Sequence, residues 1–448
     1  MTSRGEDLTG AALAAARRAG AEAADALLVE EESLSVEVRD GALERAERAE
    51  SRELGLRVMV GRRQACVAGS DLSDDALARL AERAVAMARA APEDPTVGLA
   101  PPGALAAVRD AHALDILDPA PAPAPAALEA RARALENAAA AVAGVSRVDQ
   151  AGADWQRRHI RLASTNGFSG GYGRSLWALG AVAISGEGTA MERDSRVGMR
   201  SHDADLPPPE EIGESAGQRA AARAGARKPP TGAFAVMFDE RVAGSLVAHL
   251  LAAINGTAIA RGASWLGDAL GTRVLPAGLD LIEMPHAPRL AASRPFDAEG
   301  LATARRVLVG DGVLKGWVLD LATARRLGLE STANAARGTN GPPAPAVSNV
   351  VLTGDTRPRA ALLAEMGEGL LVTQLMGASI NPTTGDYSRG AAGFWIEGGE
   401  IAWPVNECTI AGNLREMLPT ITAADDADRW RSRQVPSLRV EGLTIAGA

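Results

Sequence analysis

Hydrophobic residues follow one pattern before Ala226–Gly232 and another after it. Ahead of this stretch, period-two runs alternate with Ala-rich helical segments. Thr9 to Ala19 predicts a first helix, polar on one side. ALLVEEESLSVEVRDG (26–41) alternates and ends in Asp40-Gly41, as a strand entering a turn does. LGLRVMVGRRQACVAGS (54–70) predicts a hairpin around Gly61-Arg62-Arg63. In residues 72–91 Ser73 is an N-cap, and Leu77, Leu80, Ala84 and Met87 keep helical spacing. Pro119 to Ala127 reads as a stiff Pro/Ala connector, followed by a helix to about Ala143. Strand-like runs cover 159–167, 173–188 and 191–201. A helix over 207–226 opens with prolines, where they are tolerated.

Past Gly232 the chain is richer in glycine, turns and short strands. FAVMFD (234–239) predicts a buried strand leading into an apolar helix, AGSLVAHLLAAINGTAIARG (243–262), that breaks at Asn255-Gly256. Residues 305–320 form a hairpin turning at Gly310-Asp311-Gly312. A short helix at 321–331, a loop at 338–346, a strand at 348–355 and a helix ending at Gly367 follow. Leu370 to Ile410 reads as successive strands. The pattern predicts an α+β protein: an N-terminal α/β domain with helices on a sheet (1–228), then a β-rich C-terminal domain (229–448).

Composition narrows the class. Aromatics make up 3%, so Ala, Val, Leu and Ile must build the core. A formal charge of −9 argues against a nucleic-acid partner. Cys66 and Cys408 make no disulfide framework, which points to a reducing compartment. Glu6, Asp7, Arg17 and Arg18 interrupt any signal-peptide core. No window reaches the roughly 18 apolar residues of a membrane span. A cytoplasmic protein without membrane attachment is expected.

Few residues offer chemistry. The histidines, His112, His159, His202, His249 and His286, are too scattered for two to share a helical turn. A zinc-peptidase helix needs two His on one face and a Glu beside the first. His249 is followed by Leu250, Leu251, Ala252, Ala253 and Ile254 and preceded one turn back by Ser245, so a packed histidine is the simpler reading. Cys408 reads as a small buried residue ahead of a reactive thiol. GGYGRS, GDGVLKG and GTNGPP match no phosphate-binding loop and suit hairpin turns better. Asp386, Ser388 and Arg389 sit between glycines at a sharp corner, and Trp395, Ile396, Ile401 and Trp403 flank Glu397-Gly398-Gly399-Glu400 as a hairpin. A salt-bridged corner is expected there ahead of a reactive site.

TGDYSRGAAGFWIEGGEIAWPVNECTIAGNL (384–414) resembles the C-terminal signature of the TldD/TldE family, also called the PmbA or modulator-of-gyrase family. Residues 294–337, with Phe296-Asp297-Ala298-Glu299-Gly300 before a hairpin and short helix, resemble its other signature. The STNG at 164–167, the hairpin at 55–61 and the closing segment 435–448 fit too, so the likeness covers nearly the whole chain.

The resemblance implies an N-terminal α/β domain and a barrel-like C-terminal one. TldD-type members carry an H-E-x-x-x-H helix and a further Cys ligand near the C-terminus. Here the matching positions fall near Ala248 or His249 and near Ala253 or Ile254, and residues 424–440 hold no cysteine. His249 thus marks a degenerate metal-helix position, and Asp386, Ser388 and Arg389 are candidates for channel or corner structure. By resemblance the chain is a TldE/PmbA-like, non-catalytic subunit of a heterodimeric protease. It binds no cofactor itself, zinc is expected in its TldD-type partner, and the substrate is an unfolded or extended peptide, as in peptide-antibiotic maturation or antitoxin degradation. In isolation it could form a homodimer. The alternatives are a stand-alone hydrolase with an unrecognised site and a homodimeric peptide-binding protein.

Overall fold

A computed structural model describes residues 3–447; Met1, Thr2 and Ala448, at the ends of the stretches read above, lie outside the described residues. In the first half, α1 (Ser3–Ala19) precedes β1 (Ala23–Arg39), β2 (Ala42–Val60), β3 (Arg63–Gly69) and α2 (Asp74–Ala90). Then α3 (Pro125–Ala140) leads to β4 (Val145–Ser164), β5 (Ser169–Ser185), β6 (Glu192–Arg200) and α4 (Pro209–Ala222). The strands form one sheet in the order β3-β2-β1-β4-β5-β6, antiparallel throughout.

Alternation sorts the two faces of this sheet. Ala24, Ala26 and Leu28 of β1 pack with α1 and α2. Leu34, Val36 and Val38, on the same face, pack with α3 and α4. Leu27 points the other way and meets Leu162, Phe168, Tyr172 and Phe296. Helices therefore cover one face, and the second half of the chain packs on the other.

That second half contains β7 (Gly232–Phe238), α5 (Glu240–Ala253), α6 (Gly256–Ala260), β8 (Leu279–Glu283), β9 (Arg306–Gly310), β10 (Val313–Leu314) and α7 (Leu321–Leu327). The short pair β11 (Ala335–Ala336) and β12 (Ala344–Pro345) precedes β13 (Val350–Gly354), β14 (Thr356–Arg357) and α8 (Arg359–Met366). Three long strands follow, β15 (Glu368–Ile380), β16 (Asp386–Glu397) and β17 (Glu400–Asn413). The chain then adds α9 (Leu414–Met417), β18 (Thr422–Ala424), β19 (Arg433–Gln434) and β20 (Leu438–Ala446). β20, β17, β16, β15 and β7 pair in sequence, and β7 pairs back onto β20, which closes a five-stranded barrel. A second sheet runs β10-β9-β8-β13-β19. The architecture is α+β, as the patterning predicts, with the barrel in the β-rich part. No helix among the described residues is long and apolar enough to cross a membrane.

Several local expectations need correction. GGYGRS is not a turn but the start of β5. A Cβ on Gly173 would come within 2.9 Å of the His159 ring, so these glycines let other groups lie close on the strand. Met87 is exposed, and Ala88 takes the buried position on α2. Ile401 is likewise exposed, although its partner Ile396 is fully buried. The strand placed from Leu54 begins at Ala42, where its Glu- and Arg-rich start is carried by pairing with β1.

Candidate functional site

The helix that raised the metal question starts directly off the barrel. β7 ends at Phe238, and Asp239 caps α5 by accepting from the Arg241 N–H at 3.2 Å. Burial would push the Asp239 carboxyl up, but Arg241 and Arg359, each paired with it at 2.9 Å, outweigh that and hold it below the usual range. At the far end Asn255 caps α6 through Thr257 N at 2.9 Å, which is why the apolar run breaks there.

Ala243, Leu246, Val247 and Leu250 of α5 share a core with barrel residues Leu370, Ile410 and Val440. Ser245 and His249, one turn apart, lie half-buried on the flank of that face. The His249 ring stands edge-on to Tyr387 of β16, with centroids 6.0 Å apart. Burial, reinforced by the charge of Arg389, pushes the His249 imidazole below its ordinary value, so it is neutral at pH 7. Burial raises the Tyr387 phenol far above its ordinary value against a smaller opposing pull from Arg389. His249 Nε2, Ser245 Oγ, Tyr387 Oη and Arg389 Nε are all buried without a hydrogen-bond partner among the described residues.

This neighbourhood does not fit zinc. Zinc needs several thiolate, imidazole or carboxylate ligands around one point. His249 has a phenol, a hydroxyl and a guanidinium beside it, and Arg389 disfavours a dication. No group of three or more His, Cys, Asp or Glu among the described residues is placed to hold a metal. His202 packs against Asp115 at 3.2 Å, and His286 meets Thr303 at 3.0 Å. His159 lies on β4, where burial pushes its imidazole below the ordinary value.

The corner at 386–389 is split by the pleat rather than assembled. Asp386 is exposed and accepts from Asn413 Nδ2 at 2.9 Å and Thr384 Oγ1 at 2.5 Å, not from Arg389. The expected salt-bridged corner is therefore a hydrogen-bonded one. Ser388 is half-buried in the ladder opposite Ala411. Only Arg389 turns to the same face as Tyr387. Cys408 is a small buried residue: its Sγ donates to the Ala391 carbonyl at 3.2 Å, and burial pushes the thiol to about 11.

Two features escaped the reading of the sequence. Tyr387 lies between two residues that were singled out, and the period of two is the signal that places it with Arg389. The other is a buried ionic cluster where the first sheet meets the second half. Asp25 of β1 accepts from Arg57 Nε at 2.7 Å and pairs with Arg337 at 2.6 Å. Burial would raise its carboxyl, but the two guanidiniums hold it below the usual range. Nearby, Asp297 is pushed up by burial although it accepts from the N–H groups of Glu299, Leu301 and Ala335. Burial and then Asp297 raise Glu299 to about 8, while its Oε2 accepts from Leu321 N at 2.9 Å. Both acids come from the Phe-Asp-Ala-Glu-Gly segment. Beside them a cleft of about 510 Å³ runs between the sheet and the second half, lined by Leu27, Ile160, Arg174, Phe296 and Arg337 among others.

Comparison with known proteins agrees with this architecture. Residues 24–88 match PmbA/TldA metallopeptidase domain 1, residues 118–224 the central domain and residues 231–447 the C-terminal domain. The chain is 36% identical over 415 residues to the Metalloprotease PmbA of Escherichia coli O157:H7, covering 92% of this chain and 90% of that one. It is 34% identical to a Metalloprotease PmbA homolog of Haemophilus influenzae, over 96% and 94% of the two chains. A Bacteroides thetaiotaomicron crystal structure, described as a candidate modulator of DNA gyrase, superposes with a TM-score of 0.91 at 26% identity over the full length of both chains. TldE from Thermococcus kodakarensis shares the fold at a TM-score of 0.85 and 20% identity, over 98% of this chain and all of that one. The chain belongs to the PmbA/TldD metallopeptidase family.

Proposed function

We propose that this chain is the non-catalytic, TldE-like subunit of a peptidase whose zinc and catalytic groups lie in a TldD-type partner. The observation that carries the reading is the environment of His249. Among the described residues no second imidazole, thiol or carboxylate joins this imidazole, which is neutral and beside a guanidinium, where a zinc helix would present a second His and a Glu. The same fold in TldE from Thermococcus kodakarensis supports it. An extended peptide is held mainly by backbone hydrogen bonds to strand edges, so a second subunit of like fold can wall a channel that admits unfolded chains and excludes folded ones. A cytoplasmic location for the pair is in keeping with two free cysteines. Mixing the chain with a TldD-type partner should form a stable complex and raise cleavage of an unfolded peptide above that of either subunit. Undiminished activity from the partner alone would sink the idea.

A second reading is catalysis by this chain itself. It is favoured by the name Metalloprotease that the Escherichia coli and Haemophilus influenzae relatives carry. It requires a metal held in stoichiometric amount by the isolated chain.

A further inference from the structure

We propose that Ser245, His249, Tyr387 and Arg389 form a binding site for a carboxylate, whose occupant is the C-terminal carboxylate of an extended peptide. The carboxylate site rests on the geometry of α5 and β16, whereas the choice of a peptide as its occupant rests on the proposed function.

Polar side chains from two elements meet here: the His249 and Tyr387 rings touch, the charge of Arg389 acts on both, and Ser245 precedes His249 by one helical turn. Ser245 and His249 lie one turn apart on α5, and Tyr387 and Arg389 lie two residues apart on one face of β16. Tyr387 is 2% exposed, and its hydroxyl has no partner among the described residues. The buried atoms Ser245 Oγ, His249 Nε2 and Arg389 Nε lack partners too. Buried polar groups are normally paired, so the unpartnered atoms of His249, Tyr387 and Arg389, with Ser245 one turn away on the same helix, describe a site shaped for something absent from the chain.

The chemistry of that group follows from the donors. Arg389, whose buried Nε has no partner among the described residues, brings one positive charge. Among the described residues the charged group that acts on His249 and on Tyr387 is Arg389, and no carboxylate does. A neutral imidazole, a phenol and a hydroxyl can each donate one hydrogen, and the guanidinium is a fork of donors. The complement is a compact, anionic acceptor, and a carboxylate matches a guanidinium in planar geometry. His249 and Arg389 are half-buried while Tyr387 is not, so the site has an open side and a closed floor. A chain end can enter it, whereas a mid-chain amide brings no charge to satisfy Arg389.

The test uses the full-length protein with ¹³C-labelled histidine, the His249 resonance being identified by its loss in His249→Gln. The probes are N-acetyl-Ala-Ala with a free carboxylate, its C-terminal amide, acetate and inorganic phosphate. The free acid should shift the His249 signal and bind at least about tenfold more tightly than the amide, a difference of about 1.4 kcal/mol. Arg389→Gln should abolish that preference, and Tyr387→Phe should weaken acid binding with the fold retained, so the question survives if the Arg variant fails to fold. Acetate or phosphate binding as tightly as the peptide would overturn the chain-end occupant in favour of a small oxyanion. Equal affinity for acid and amide, an unmoved His249 signal, or full binding by both variants would overturn the site.

Discussion

His249 and Tyr387 stand edge to face, ring centroids 6.0 Å apart at an interplanar angle of 72°, and neither His249 Nε2 nor Tyr387 Oη finds a hydrogen-bond partner among the described residues. An aromatic pair that packs its carbon edges and leaves its polar atoms bare contributes dispersion and hydrophobic burial, with no hydrogen bond to offset desolvation.

Tyr387→Phe should therefore leave the isolated protein as stable as the wild type or more stable by about 1 kcal/mol, because the substitution removes a buried hydroxyl without a partner. Urea unfolding measures it. A loss of 2 kcal/mol or more (about the scale of a lost buried hydrogen bond) would mean the hydroxyl has a partner in solution.

At the junction of the two halves, Asp25→Asn should be severe. It removes the carboxylate that both Arg57 and Arg337 pair with inside the protein, and breaking such a network costs about 3–5 kcal/mol. Hydrogen exchange should speed up first around residues 335–339, the segment that Arg337 ties to the sheet.

Glu299 gives the junction a pH dependence of definite sign. Its folded value, about 8, lies above the ordinary 4.5. Between those values the unfolded chain has released a proton that the folded one keeps, so stability falls as pH rises through that window and levels off above it. Glu299→Gln removes this contribution. The variant should gain on the wild type between pH 5 and pH 8, by an amount on the order of a few kcal/mol. Parallel stability curves for the two proteins would refute the raised value.

Gly55 of β2 marks where the second half touches the sheet. A Cβ there would come within 2.0 Å of the Thr339 carbonyl oxygen, a backbone atom that cannot rotate away. Gly55→Ala should cost about 1–3 kcal/mol and displace the 337–339 segment. Thermal unfolding and a crystal structure of the variant would show it. A wild-type Tm would mean the approach is looser.

Much of this fold is legible locally. Ser73 and the spacing of Leu77, Leu80 and Ala84 define α2, Asn255 ends the apolar helix, and Asp311-Gly312 turns its hairpin with both residues at positive φ. The front of β2 is not legible, because ALERAERAESRE has helix-favouring residues and no apolar alternation. Its state is set by pairing with β1, from Arg39 opposite Ala42 to Glu30 opposite Arg52. The candidate site was half visible. His249 and Arg389 could each be singled out, but their meeting depends on how α5 packs against β16, and no local pattern encodes that distance. The link between Asp25 and Arg337 is hidden for the same reason, since each reads alone as an ordinary surface charge.

On the proposed reading this chain carries no zinc of its own. Metal content of the purified chain, produced with zinc supplied and then dialysed against metal-free buffer, decides it. Zinc should be far below one per chain, with stoichiometric zinc appearing only when a TldD-type subunit is present in the complex. One zinc per isolated chain, surviving dialysis and accompanied by peptidase activity, would contradict it.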